Sequence, residues 1–309
     1  MTAQSQRGAA LIIAMVIAAL AATIAMSLAA NQQQWFASMS NRRDQVQAQA
    51  LALAGVQWAR QILFEDAKSA GAIDSLAEPW ALPLPATPLE NGSIEGRIVD
   101  AQGLLNLNNL APTDTNVSVD AERARFGRLF ARFGLPAASL DAIADWIDAD
   151  SATRPTGAED AWYAQQPNPM LAANAPVVRS AELALVRGFS PAVVNALAPY
   201  VIALPTATKL NVNTAPGPVL ATAIDGLDAA GLATLLASRA QKPFTDISSD
   251  LRTRLPQGAV LVNDSGLDVK SNYFLVTVLA RQGDTRAQAR ALLERGKGAW
   301  PTVVWQTLE

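Results

Sequence analysis

The run AALIIAMVIAALAATIAMSLAA, Ala9 to Ala30, holds 22 residues without a charge. A helix of that length spans about 33 Å, against about 30 Å for the hydrocarbon core of a bilayer. In lipid the backbone N–H and C=O groups must be satisfied within the segment, which dictates a helix. Arg7 precedes the run, so the positive-inside rule predicts a cytoplasmic N-terminus and places the remaining residues across the membrane. Ser27-Leu28-Ala29, ahead of Ala30, has the small-x-small character of a secretory cleavage site. The run nevertheless exceeds the ~7–15 residues of a signal-peptide core, and a retained anchor is the reading adopted.

The helical pattern continues past the membrane. From Trp35 to Glu65 there is no proline, and Gly55 is the sole glycine. Leu51, Ala54, Trp58, Ile62 and Leu63 recur at helical spacing, with Arg42, Arg43, Asp44 and Arg60 on the other side. These residues predict one helix of about 50 residues that starts in lipid and ends in water. Residues 69–91, with prolines at 79, 83, 85 and 88 and an Asn91-Gly92 turn signal, read as a loop. Ser93 to Leu110 reads as a strand pair or a strand plus turn, with Asn106, Asn108 and Asn109 at outward positions between leucines.

Residues 111–260 read as mostly helical, with helices at 117–134, 136–148, 180–187, 190–202, 215–224 and 228–240. Ser118 or Asp120, Ser180, and the Ser190-Pro191 pair supply start signals. Strand character returns at Ser271 to Gln282, a hairpin signal follows at Gly283 to Thr285, and Trp300 to Glu309 closes the chain as a further strand. The expected class is α+β: a long helix on a small antiparallel sheet interrupted by a helical insertion.

The chain has no histidine and no cysteine. That excludes Ser-His-Asp, Cys-His and HExxH chemistry, disulfides and thiolate metal sites. A metal site must use oxygen ligands, which points to calcium or magnesium. The stretch DWIDADSATRPTGAEDAWY, Asp145 to Tyr163, is where such ligands crowd: Asp145, Asp148, Asp150, Glu159 and Asp160, with Asp141 upstream. With Asp148 as position 1, Asp150 and Glu159 fall on EF-hand positions 3 and 12. Ala152 at position 5, Thr153 in place of the glycine at 6 and Pro155 at 8 exclude an EF-hand. Converging carboxylates repel by about 1 kcal/mol per pair at 4 Å even in water, so convergence demands a cation. Asp148, Asp150, Glu159 and Asp160 are the candidate ligands, with backbone carbonyls from Ser151 to Arg154 completing the shell. The competing reading is a solvated acidic loop in which Arg154 pairs one carboxylate. A glycosidase pair using Asp145 or Asp148 is disfavoured, since no substrate cleft is legible. Whether Asp141 and Asp145 join the cage or end the preceding helix stays open.

Arg7-Gly8 followed directly by AALIIAMVIAALA resembles a type IV prepilin leader. That resemblance implies cleavage between Gly8 and Ala9 and N-methylation of Ala9. DWIDADS…P.GAEDAWY, SAELALVRGFSPAVVNALAPYVIALP (Ser180 to Pro205) and KLNVNTAPGPVL (Lys209 to Leu220) extend the likeness over the chain. Together they resemble the protein K family of minor pseudopilins in type II secretion. The resemblance implies a leader at 1–8, a membrane-spanning part at 9–30, a pseudopilin domain at 31–110 and 265–309, and an inserted helical domain at 111–264. It also implies calcium in the insertion. Implied partners are the minor pseudopilins I and J, the major pseudopilin and the prepilin peptidase, at the inner membrane. The implied role is non-enzymatic, at the tip of the pseudopilus, initiating or capping its assembly with a periplasmic C-terminal domain. Most pilins carry a glutamate at mature position 5. Here Ile13 stands there, as suits a subunit with none above it.

Lys209 to Leu251 also resembles helix-hairpin-helix repeats, with Ile224 to Asp228 as the hairpin. The rival function is therefore a membrane-anchored DNA-binding or DNA-uptake protein. Asp225 and Asp228 flank Gly226 where phosphate would approach. From Ser180 to Ser249, Arg187, Lys209, Arg239 and Lys242 are balanced by Glu182, Asp225, Asp228 and Asp246. A net charge of -3 adds no attraction, so no nucleic-acid partner is expected.

Overall fold

The computed structural model describes residues 3–69, 73–112, 117–296 and 300–309, with residues 3–9 and Ser69 described at the backbone alone. Helix α1 runs unbroken from Ala3 to Ser69, 67 residues. Along its apolar run Leu11, Ile13, Ile17, Ile24 and Leu28 are all more than half exposed. Among the described residues this is the one helix long and apolar enough to cross a membrane. Its C-terminal half packs on a sheet through Ala48, Ala52, Val56, Ala59 and Leu63, spaced four, four, three and four residues apart. Leu63 is buried as expected, but the rest of the buried stripe is rotated from the one expected. Ala54 and Trp58 are exposed, and Leu51 and Ile62 flank the contact. Small side chains face the sheet because they let the helix axis approach it closely, and the larger apolar groups cover the sides.

The sheet has five antiparallel strands in spatial order β1 (Leu84–Leu89), β2 (Gly92–Asp100), β3 (Tyr273–Gln282), β4 (Thr285–Glu294) and β5 (Thr302–Leu308). Alternation sends Phe274, Val276, Val278, Ala280, Ala287, Ala289, Ala291 and Leu293 onto α1. The β1–β2 turn falls at Glu90-Asn91 and the β3–β4 turn at Gly283-Asp284, where the turn signals lie. The proline-rich stretch expected as loop contains β1. Pro85 and Pro88 are tolerated because β1 is an edge, where half the N–H groups need no partner.

Between β2 and β3 the chain leaves the sheet at Asp100 and returns at Tyr273. Helices α2 (Val119–Arg132), α3 (Ser139–Ile147), α4 (Asp160–Tyr163), α5 (Pro191–Leu197), α6 (Gly217–Leu220) and α7 (Ala229–Gln241) build a second core around Phe126, Phe130, Ile143, Trp146 and Tyr163. Ser118, Ser190 and Asp228 cap α2, α5 and α7 with side-chain oxygens. The helices are shorter than expected. Ser180–Leu185 forms 3₁₀ turns, and Val201–Ile202 is extended, pairing in parallel with Leu105–Asn106.

The three asparagines point inward, not outward. Asn106 donates to the Thr206 carbonyl at 2.9 Å, Asn108 to those of Val177 and Leu204 at 2.9 and 2.7 Å, and Asn109 to that of Thr208 at 2.8 Å. They satisfy backbone groups of an irregular segment that no ladder reaches. Asp100 plays a similar part at the exit from the sheet. Its Oδ2 accepts from Asn211, Thr214 and Ser271 at 2.8, 2.6 and 2.6 Å, and burial lifts its carboxyl to about 6.

Candidate metal centre

Helix α3 delivers the acidic loop. Leu140, Ile143, Ala144, Trp146 and Ile147 bury its apolar face, and the backbone turns extended at Asp148. Asp150 folds the next step by accepting the Ala152 N–H at 2.8 Å, and the Gly157 N–H closes a turn on the Arg154 carbonyl at 3.0 Å. A side chain at 157 would place its Cβ 1.8 Å from Asp145 Oδ2, so glycine alone fits. Trp146 and Tyr163 meet edge to face at 5.0 Å, and Tyr163 Oη accepts the Arg187 N–H. The loop is thus clamped at both ends.

Carboxylate oxygens of Asp148, Asp150 and Glu159 lie within 4.8 Å of one another. Glu159 is 4% exposed, and neither of its oxygens has a hydrogen-bond partner; Asp148 Oδ1 is likewise buried and unpartnered. Burial first, and then repulsion from Asp145, Asp148, Asp160 and Asp150, raises the Glu159 carboxyl to about 7. Leaving a buried acceptor unmade costs about 1–3 kcal/mol, and more for a charged one. A hard divalent cation would satisfy all three orphaned oxygens at once, and an all-oxygen donor set suits calcium. Asp148, Asp150 and Glu159 fit such an ion.

The fourth candidate ligand, Asp160, stands outside this group. Its Oδ1 accepts the Ala172 N–H at 2.8 Å. Asp145 is fully buried and bound by Arg154, through the backbone N–H at 3.2 Å and through Nη1 at 2.6 Å. The same guanidinium reaches Asp148. Asp141 bonds Thr156 and Arg123. Despite partial burial, these hydrogen bonds hold its carboxyl below the usual range. Asp141 and Asp145 therefore shape the loop, and the cluster proper is Asp148, Asp150 and Glu159.

A second trio, Asp66, Asp74 and Glu78, gave no signal in sequence because its members come from α1 and the loop that follows. Arg295, just past β4, pairs with Asp66 and Asp74 and donates to the Ser271 carbonyl at 2.8 Å. Glu78 accepts from Ser75 N–H and Trp80 Nε1, both at 2.7 Å.

The hairpin at Gly226 is packed by its own chain. Ile224 and Asp225 pair with Leu261 and Val260, and a Cβ at 226 would lie 2.5 Å from the Gly258 carbonyl oxygen. Asp225 pairs with Arg128 at 2.8 Å.

A helix apolar in one half and sheet-packed in the other, with a helical insertion in the sheet, defines a pilin-like subunit. Family models for the type II secretion system protein K match residues 103–206 and 210–270. Type II secretion system protein K of Aeromonas hydrophila is 32% identical over 94% of this chain and 94% of its own length. That of Pseudomonas aeruginosa is 32% identical over 95% and 90%. A chain in the crystal structure of the GspK-GspI-GspJ complex from enterotoxigenic Escherichia coli superposes with a TM-score of 0.75. It is 25% identical, over 88% of this chain and 99% of that one. The chain belongs to the type II secretion system protein K family and is a minor pseudopilin of that system.

Proposed function

We propose that this chain forms the tip of the type II secretion pseudopilus, where it initiates or caps assembly and so serves protein secretion. One observation carries the reading. The β3–β4 turn at Gly283 lies beside Asp44, on the side of the apolar half of α1, whereas the insertion leaves the sheet at Asp100, next to the C-terminal end of that helix. The bulk of residues 101–272 thus stands at the end where another subunit would stack. Ile13 in place of an acid is consistent with this position.

On this reading Ala9 to about Ala30 spans the inner membrane before assembly, with the N-terminus cytoplasmic and the remainder periplasmic. The prepilin peptidase cuts between Gly8 and Ala9, where only backbone is described, and Ala9 is N-methylated. The minor pseudopilins I and J are the expected neighbours, by likeness to the complex in which the homologous chain sits, and the major pseudopilin follows below them. Calcium, held by Asp148, Asp150 and Glu159, would staple the loop between α3 and α4; its role there is structural rather than catalytic. Mass spectrometry of the mature N-terminus is the decisive test. N-methyl-Ala9 is expected, and an intact leader or a cut near Ala30 refutes the class of assembly proposed.

A further inference from the structure

The sheet face turned away from α1 is basic. Alternation places Arg97 of β2, Arg281 of β3, and Arg286 and Arg290 of β4 on it, all exposed. Arg281 and Arg286 are direct cross-strand partners, and Arg97 and Arg290 flank Thr277 in one row. Directly opposed like charges destabilise a sheet. Among the described residues none of the four has an ion pair or a side-chain hydrogen bond. Two acids border the four arginines, Glu95 on β2 and Glu309 beside Arg290, and Glu294 lies at the far end beside Tyr273. A depression of about 400 Å³, lined by Arg97, Glu95, Thr277, Leu279 and Gln288, opens on the same face. This concentration occurs in a chain whose overall charge is -3.

We propose that this face docks the carboxylate-rich surface of a partner protein. Guanidinium forks bind carboxylates in bidentate fashion, and arginine is enriched in protein interfaces. An anionic bilayer is a poorer match. The β3–β4 turn lies beside Asp44, which follows Ala30 by 14 residues, about 21 Å along a helix normal to the membrane. That exceeds the Debye length of about 8 Å at physiological salt. Single-stranded nucleic acid needs stacking platforms. Between the arginines lie Thr277, Leu279 and Gln288, none of them aromatic.

The test uses the full chain in nanodiscs of neutral lipid and a fluorescent Glu-rich peptide, read by anisotropy at low and high salt. A poly-lysine peptide serves as control. Salt-sensitive binding of the acidic peptide is expected, weakened roughly tenfold or more by R281E with R290E, since each tenfold corresponds to about 1.4 kcal/mol. R42E with R43E, on α1 at the opposite face of the sheet, should leave it unchanged. R281E alone converts a like-charged pair into an opposite one, so it should melt no lower than the wild type while binding more weakly. Retained binding in R281E with R290E, equal loss in R42E with R43E, or recruitment of anionic vesicles in place of the peptide would overturn the proposal.

Discussion

Among the described residues two trios of carboxylates have opposite surroundings. Asp66, Asp74 and Glu78 receive the Arg295 guanidinium, a serine N–H and an indole N–H. Asp148, Asp150 and Glu159 converge as closely, yet Glu159 and one oxygen of Asp148 face each other with no donor. Proximity of acids therefore does not distinguish a structural cluster from a ligand site. The supply of internal donors does, because a carboxylate already satisfied by the chain has little to gain from an ion.

The largest expected effect breaks the satisfied trio. Arg295→Met leaves Asp66 and Asp74 buried without their cation, and loss of one partner from a buried pair costs about 3–5 kcal/mol. Chemical denaturation in detergent should record that loss, and added calcium should recover part of it, because the freed carboxylates then lack an internal cation.

The unsatisfied trio should respond to calcium in the unsubstituted chain. Calcium at a hundredfold excess over its dissociation constant should stabilise the chain by about 2.7 kcal/mol, an effect absent from Asp148→Ala with Glu159→Ala. Its pH dependence carries a definite sign. The Glu159 carboxyl is raised in the fold to about 7, so the metal-free chain keeps that contribution below the unfolded value near 4.5 and loses it as pH rises through 7. Melting temperature without metal should fall from pH 5 to pH 8. Asp66 and Asp100, each raised to about 6, add to the early part of that fall. Glu159→Gln should flatten the later part, and saturating calcium should do the same by holding Glu159 ionised.

The smallest effect sharpens the boundary of the site. Asp160→Asn retains an acceptor for the Ala172 N–H, so stability should change by less than about 1 kcal/mol and the calcium shift in melting temperature should persist. Loss of that shift would return Asp160 to the ligand set.

Legibility in the sequence followed the range of each interaction. The apolar run, the Gly283-Asp284 turn and the Ser118, Ser190 and Asp228 caps are fixed by neighbours a few residues away. The acidic loop was visible for the same reason, and three of its four candidate ligands do converge. Asp160 could not be separated from them, because its partner, Ala172, lies 12 residues on. The inward turn of Asn106, Asn108 and Asn109 was hidden because their acceptors lie 69 to 100 residues away. On α1 apolar size does not track depth: apart from Val56 and Leu63 the sheet takes the alanines, while Trp58 stays exposed.

By itself the sequence determined a long helix with an apolar half, an antiparallel hairpin region, a helical insertion and an oxygen-only set of candidate ligands. Helical hydrogen bonds, turns and residue chemistry are local properties. Only the tertiary structure decided which acids remain unpaired. Arg295 meets Asp66 across 229 residues, and that meeting satisfies one trio while the other keeps its orphaned oxygens. A charge's partner is chosen by packing, which no short window of sequence contains.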